Sequence, residues 1–531
     1  MRAFFACSLL LVAAGASASP NVPDLDIGYP GLPQSVTSRQ LVPGLVFHDV
    51  RRGESSAFDH YLLASGVISA ARADELQAKL AGLDIAAERA APAEYGPAGR
   101  PLGVNLRIGN FSKRAEASGL QATLAAHGLE FAVRYSAEDG GPTSGPFRIG
   151  ILTLDPAHFT GEVVAALANG RVEGKQRPSD MAVARDAIAA VNAGYFAWAP
   201  HVGTPGDPAG ISVIDGELAS EAVDGRSALA IDNRDGLQLR VLHDVRSRLG
   251  IVAGEHEWRA DGLNRKPGLI LNCGNPAAGP VTVPAHDFVC TNANEIVVFT
   301  PLFGAATPAG AGFEALVDAD GKVQSVHERR GRQIPAGGYT IQAIGSAAAE
   351  MHATIERGMR IRRTVNVTAD GQPLALHTGL YVVNGGPALI RDGHADLAAR
   401  AREGWQTRFA TPGVTDEFVD EKDRATVSDR FSDSRAGFYD GWVVRRHPRT
   451  AAGLTADGRF VVVVIYGRQP GISVGASLSD MTRVLLSLGV TQGINLDGGG
   501  SSVMVIDGRP GGPVSDPDGE RAVGDAILFL N

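Results

Sequence analysis

The sequence predicts an α+β protein, a large mixed-sheet domain preceded by a small ferredoxin-like one. Three observations lead there. The chain has 531 residues, more than a single hydrophobic core usually serves, so at least two domains are expected. It contains 66 glycines, which favours strands and loops over helix bundles. Segments with strand character also outnumber those with helical periodicity.

Residues 1–18 read as a signal peptide. Arg2 is the positive start, Phe4 to Ala14 the apolar core, and Ala16-Ser17-Ala18 a small-residue cleavage site. The apolar run is too short to span a bilayer, and no later stretch reaches about 18 apolar residues. The expected location is therefore secreted or periplasmic, with cleavage after Ala18 and no membrane span. Residues 19–57 form a Pro/Gly-rich lead-in.

Residues 58–155 read as the small domain. A strand (HYLLASGVI), a helix (SAARADELQAKLAGL) and a strand (DIAAERA) come first. LGVNLRIGNF, the helix KRAEASGLQATLAAHG, LEFAVRYS and FRIGILTLD follow. Strand–helix–strand repeated twice is the ferredoxin-like pattern. Residues 156–531 make the large domain. Helices are expected near SDMAVARDAIAAV and SLSDMTRVLLSLG, and strands at SALAID, LQLRVLH, EIVVFT, RIRRTVNVTA, LYVVNG, RFVVVVIYG and SVMVID. Residues 394–446 read as a long polar loop, acidic from Thr415 to Asp440, of the length that forms lids or solvated faces.

Composition narrows the function. The net charge of −9 argues against nucleic acid as a partner, because phosphate backbones need a basic face. After cleavage two cysteines remain, Cys273 and Cys290, and in an oxidising compartment they read as a disulfide. Such a bridge is worth about 3 kcal/mol. A metal site there would want more ligands than His286 and Asp287.

Several reaction classes fail on their motifs. Lys175 and Lys322 follow glycine but precede Gln176 and Val323, so there is no phosphate-loop GK[ST]. His256-Glu257 and His327-Glu328 lack the second histidine of a zinc HExxH site. GISVG around Ser473 fits a nucleophile elbow, but GRQPGI separates it from its strand. The last histidine, His447, also precedes that serine.

What remains is carboxylate and polar-backbone chemistry. INLDGGGSSVMVIDG places Asp497 at the end of a buried-looking strand, before glycines that let a ligand approach the backbone. VNAGYFA with Asn192, and NGGP with Gly385, repeat that logic. HPRTAAG sets Arg449 and Thr450 at a strand start, where arginine suits bidentate phosphate binding. Asp516, Asp518 and Glu520 of SDPDGE could meet a calcium ion, but they do not complete an oxygen cage. No cofactor is required and no metal ligand set is visible.

These stretches together resemble the phosphodiester glycosidase family. VNAGYF, GDPAGISVIDGEL, VVNGGPALIRDG, HPRTAAGLTADGRFVVVVIYGRQ, GASLSDMTRVLLSLGVTQGINLDGGGSS and VSDPDGERAVGDAI occur in the family's order. LNRKPGLILNCGN with DFVCTNANEIVVFTP resembles bacterial members with a paired cysteine at Cys273 and Cys290.

The resemblance implies hydrolysis of the sugar–phosphate bond of glycosyl-1-phosphodiesters, in envelope or extracellular glycopolymers. Carried over by position, Asp497 is the central carboxylate, with Asn192 and Arg449 beside it. Thr450, Gly498, Gly499, Ser501, Asp516, Arg521 and Gly385 are expected at the substrate. One departure is Tyr466-Gly467, where members commonly read Asp-Gly; Asp480 or an acid of 415–440 is a candidate substitute. VNLRIGNFSKRAEASGLQATLAAHGLEFAV resembles a SPOR domain, which implies a glycan-directed module and peptidoglycan as a partner. The alternative is a non-catalytic wall-glycan binder with a degenerate enzyme domain. A phosphodiesterase cutting on the far side of phosphorus would usually need a metal cluster.

Overall fold

The computed structural model describes residues 22–96, 99, 101–272, 286, 289–405 and 435–531. At its centre lies an antiparallel sheet of eight strands. Their order is Gln34–Val42, Leu45–Arg52, Phe147–Leu154, Phe460–Ile465, Arg449–Thr455, Val490–Asn495, Ala388–Arg391 and His394–Ala395. Phe460–Ile465 is apolar throughout because both its faces are covered. Val461, Val463 and Ile465 pack with Leu478, Met481 and Val484 of helix Leu478–Ser487. Phe460, Val462 and Val464 pack on the other side with Val191, Met504, Ile527 and Phe529.

Those last four residues belong to a second antiparallel sheet. Its order is Arg509–Pro510, Met504–Ile506, Ala189–Asn192, Asp525–Phe529 and Val163–Leu167. Asp525–Phe529 thus sits between strands that precede it by more than three hundred residues, registering Ile527 against both Val191 and Ala165. Further sheets, built around Gln238–Ala253 and Tyr339–Ala343, share a third core that includes Ile251, Phe313 and Ile341.

The small module runs from Tyr61–Ile68 to Ala132–Tyr135. Its antiparallel sheet has the order Glu88–Ala90, Val104–Phe111, Tyr61–Ile68, Ala132–Tyr135, with helices Ala70–Ala81 and Arg114–Ala126. That is the ferredoxin-like succession.

The boundaries expected from sequence need correction, since the central sheet crosses them. The lead-in supplies Gln34–Val42 and Leu45–Arg52, and FRIGILTLD forms Phe147–Leu154 between Leu45–Arg52 and Phe460–Ile465. SDMAVARDAIAAV is also not one helix. Helix Pro178–Ala184 ends before Asp186, whose φ of 50° reverses the chain, and strand Ala189–Asn192 follows. Within 394–446 the described ends hold helices Leu397–Arg402 and Arg435–Tyr439 and a π-turn, Asp440–Val444. Most of the acidic stretch falls outside the described residues. So do residues 1–18, expected as a signal peptide, and Cys273, while Cys290 is buried on Val289–Thr291.

Candidate active site

Residues 496–503 cross from the end of Val490–Asn495 in one sheet to Met504–Ile506 in the other. The crossing is fixed from both sides. Leu496 N–H donates to the Thr450 carbonyl at 2.9 Å, and Asp497 N–H to the Ala193 carbonyl at 2.9 Å. Gly499 has φ 64°, a conformation that favours glycine, and its N–H reaches the Pro448 carbonyl at 2.8 Å. At Gly500 a Cβ would lie 2.2 Å from the Arg521 guanidinium. The glycines therefore let the loop turn tightly against two neighbours.

A cavity of about 610 Å³ opens over this loop. Asp497, Gly498, Gly499, Gly500 and Ser501 form one wall. Tyr195, Trp198 and Trp442 supply aromatic walls, while Arg449, Arg468, Arg521, Arg445, Arg134 and Lys175 supply cations. Among the described residues that line it, Asp497 is the one carboxylate.

Arg449 is 1% exposed. Its Nε donates to the Ala476 carbonyl at 3.1 Å, a terminal nitrogen donates to the Trp442 carbonyl, and its guanidinium lies 4.5 Å from the Trp442 ring centre. Among the described residues no carboxylate comes within ion-pair distance of it. Burial pushes its guanidinium below its ordinary value, and Arg468 and Arg400 add repulsion. A buried cation without a counter-charge is costly, and an anion in the cavity would relieve it.

His447 also lines the site. Burial holds its imidazole well below the usual range, so it is neutral near pH 7. Nε2 faces the Gly441 carbonyl, which leaves Nδ1 to accept from Arg468 at 3.3 to 3.4 Å. Arg468 has φ 59°, unusual for a residue with a Cβ, and is exposed toward the opening.

The other expected residues divide. Arg521 lines the cavity, held by Asp516 at 2.7 and 3.0 Å in a two-point pair. Asn192 and Thr450 are fully buried behind the wall. Asn192 Nδ2 donates to the Asp497 carbonyl at 2.7 Å, and its Oδ1 accepts from Thr450 at 2.8 Å and from Val503 N–H at 3.1 Å. This spent side chain fixes the loop and does not face the cavity, and Thr450 faces Asn192 instead of a ligand. Gly385 packs on the Asn495 carbonyl away from the lining.

Tyr466 is likewise in the core, its ring against Gly512 and its hydroxyl against Gly150. Asp480 caps helix Leu478–Ser487 and pairs with Arg446 and Arg483. Neither lines the cavity. Ser473 is buried and bonded to the Tyr466 carbonyl and Arg148 N–H. Asp516 engages Arg521 and Glu520 engages Ser179. Among the described residues no three His, Cys, Asp or Glu side chains cluster as a metal site would need.

Sequence reasoning did not single out Trp442, His447, Arg468, Lys175, Trp198 or Arg134 as site residues. His447 and Arg468 stand inside the HPRT and YGRQ stretches and were within reach. It also passed over Asp525, fully buried beside the loop. Asp525 Oδ1 accepts from Gly194 N–H at 2.8 Å, while Oδ2 has no partner among the described residues. Burial, opposed by that bond and reinforced by the charge on Asp497, pushes its carboxyl up to about 7.

One carboxylate, aromatic walls and arginines without carboxylate partners among the described residues thus meet in one cavity. Residues 311–530 match the model of the phosphodiester glycosidase family. A crystal structure from Burkholderia pseudomallei K96243, of a protein described as exported, is 32% identical with a TM-score of 0.87, covering 97% of this chain and 99% of that one. A hypothetical protein from Synechocystis shares the fold at a TM-score of 0.52 and 16% identity, over 95% of this chain and 82% of that one. The SPbeta prophage-derived protein YomE of Bacillus subtilis strain 168 is 39% identical over 84 residues, 16% of this chain and only 13% of that relative's length.

Proposed function

We propose that the protein is a secreted hydrolase that cleaves the bond between a sugar and the phosphate of a glycosyl-1-phosphodiester in envelope or extracellular glycopolymers. The observation that carries this reading is Arg449, a buried cation facing a cavity with no carboxylate partner among the described residues. In the reaction the C1–O bond to phosphate breaks, and its electron pair leaves with the phosphate monoester. Water supplies hydroxyl to C1 and releases its proton. Phosphate is a good leaving group, so the demand falls on holding its charge. Arg449, with Arg468 aimed by neutral His447, holds that charge. Asp497 faces the oxocarbenium-like centre as stabiliser, nucleophile or base. Tyr195 and Trp442 support the sugar face, and Asn192 keeps Asp497 in place through its carbonyl.

In the same reading the SPOR-like module directs the enzyme to wall glycan, and Cys273 and Cys290 form a bridge. The test is product analysis by mass spectrometry with N-acetylglucosamine-1-phospho-mannose and related diesters, with Asp497→Asn in parallel. Free sugar plus phosphomonoester from the unaltered protein alone is the expected result. No product across a panel of such diesters, from protein shown to be folded, would sink the hydrolase reading and favour a glycan binder.

A further inference from the structure

A second cavity, of about 490 Å³, lies on the ferredoxin-like module. It runs between the outer face of helix Arg114–Ala126, with Ser118, Gln121 and Ala122, and the strands carrying Ser65 and Ala132. Three residues line both this cavity and the one over Asp497: Arg134, Gly441 and Arg445. The two spaces therefore meet at two arginines.

Those arginines are not equivalent. Arg445 is buried and paired with Asp139. The guanidinium of Arg134, on Ala132–Tyr135, has neither a hydrogen bond nor an ion pair among the described residues. Repulsion from Arg445 is the largest cause that pushes it down, to about 10, followed by burial; Asp139, Asp440 and Glu138 oppose this with smaller effects. A cation pressed against another cation at the junction of two open cavities is suited to an anion. Beyond it the second cavity is lined chiefly by small and neutral polar groups, with Glu130 and Asp440 as its acids. A second phosphate would be repelled there, whereas an uncharged sugar would not.

We propose that Arg134 holds the phosphate of the neighbouring repeat of a sugar–phosphate polymer, with the next sugar lying in the second cavity. The substrate class is then a chain of phosphodiester-linked sugars, read across both modules, and not an isolated diester. This rests on the hydrolase reading above and deepens it. Arg134 lies outside the stretch that matches the family model, residues 311–530, so the module contributes a binding residue to the site.

The test compares two probes, methyl N-acetylglucosaminyl phosphate with one phosphodiester and its two-repeat oligomer with two. Binding is read by calorimetry in an Asp497→Asn background, and turnover with Asp497 intact. The oligomer should bind at least tenfold tighter than the single diester. Arg134→Gln should weaken the oligomer at least tenfold more than it weakens the single diester. Ala122→Trp, which fills the second cavity from an exposed helix position, should do the same without touching a charge. Equal loss on both probes, or no loss on either, overturns the inference. So does failure of the Arg134-intact protein to prefer the oligomer. A preference that Arg134→Gln removes, without turnover of either probe, would keep the inference as a binding statement and sink only the hydrolase reading.

Discussion

Two buried arginines of this molecule stand in opposite electrostatic surroundings. Arg265, beside strand Gly262–Leu263, meets Glu295 through two nitrogens at 2.8 and 3.0 Å and Glu221 at 2.7 Å. Arg449, at the start of Arg449–Thr455, has only carbonyls and the Trp442 ring. Burial disfavours both cations, but the two glutamates outweigh it at Arg265 and raise its guanidinium above its ordinary value, whereas at Arg449 nothing does. Arg265 is complete within the chain and serves the fold. Arg449 is incomplete, and the missing charge has to arrive from the cavity.

Removing one side of the complete set should cost most. Glu295→Gln leaves Arg265 short of charge in a site that is nearly dry, and should lower the unfolding free energy by about 3–5 kcal/mol. Urea unfolding would read this, with turnover per folded molecule unchanged within twofold. A stability loss under about 1 kcal/mol, the scale of an exposed pair, would remove the contrast from its side.

Arg449→Met should behave in the opposite sense. It removes an uncompensated charge, so the urea midpoint should hold or rise, while kcat/KM on a glycosyl phosphodiester falls about 100-fold or more, the scale of losing one transition-state donor. A large fall in stability would show Arg449 to be architectural after all.

Asp525 sharpens the comparison from the acidic side. Its folded value is raised, so the stability it contributes is full below about pH 4, where the unfolded carboxyl is also protonated. That contribution is lost as pH rises toward and through about 7. Asp525→Asn should flatten the stability–pH curve between those limits. Asp497→Asn should leave a shallower loss that ends at a lower pH. Removing the neighbouring negative charge makes ionisation of Asp525 less costly, and so brings its folded value closer to its unfolded one. Between pH 4 and 8 that variant should therefore lose less stability than the unaltered protein. Thermal melts across this range would follow both curves, and an unchanged slope in Asp525→Asn would mean that another group carries it.

The parts of this site written in local motifs were legible. NLDGGGSS announced a loop that must turn tightly after a carboxylate, and HPRT placed Arg449 at a strand start. Asn192 was found for its position but not its task, since three simultaneous hydrogen bonds cannot be seen in VNAGYF. Tyr466 illustrates a different limit: its departure from the family pattern drew notice, yet its ring fills space beside Gly512, which no spacing reveals. The domain boundary failed because strand pairing between residues 45–52 and 147–154 leaps across a whole inserted module. Arg134 was illegible for the same reason. Its partners in the cavity lie some three hundred residues away, and no local pattern records that meeting.

The placement of Asp525–Phe529 inside its sheet also governs when this protein can become itself. That strand bridges Val163–Leu167 and Ala189–Asn192, so during synthesis both must wait, edges open, until more than three hundred further residues have left the ribosome. Pairings of such long reach form slowly, and exposed edges invite association meanwhile. Maturation is therefore a late closure, and a chain released before Asp525 would hold the NLDGGGSS and HPRT motifs and still lack the strand to which Ala193 and Gly194 are bonded.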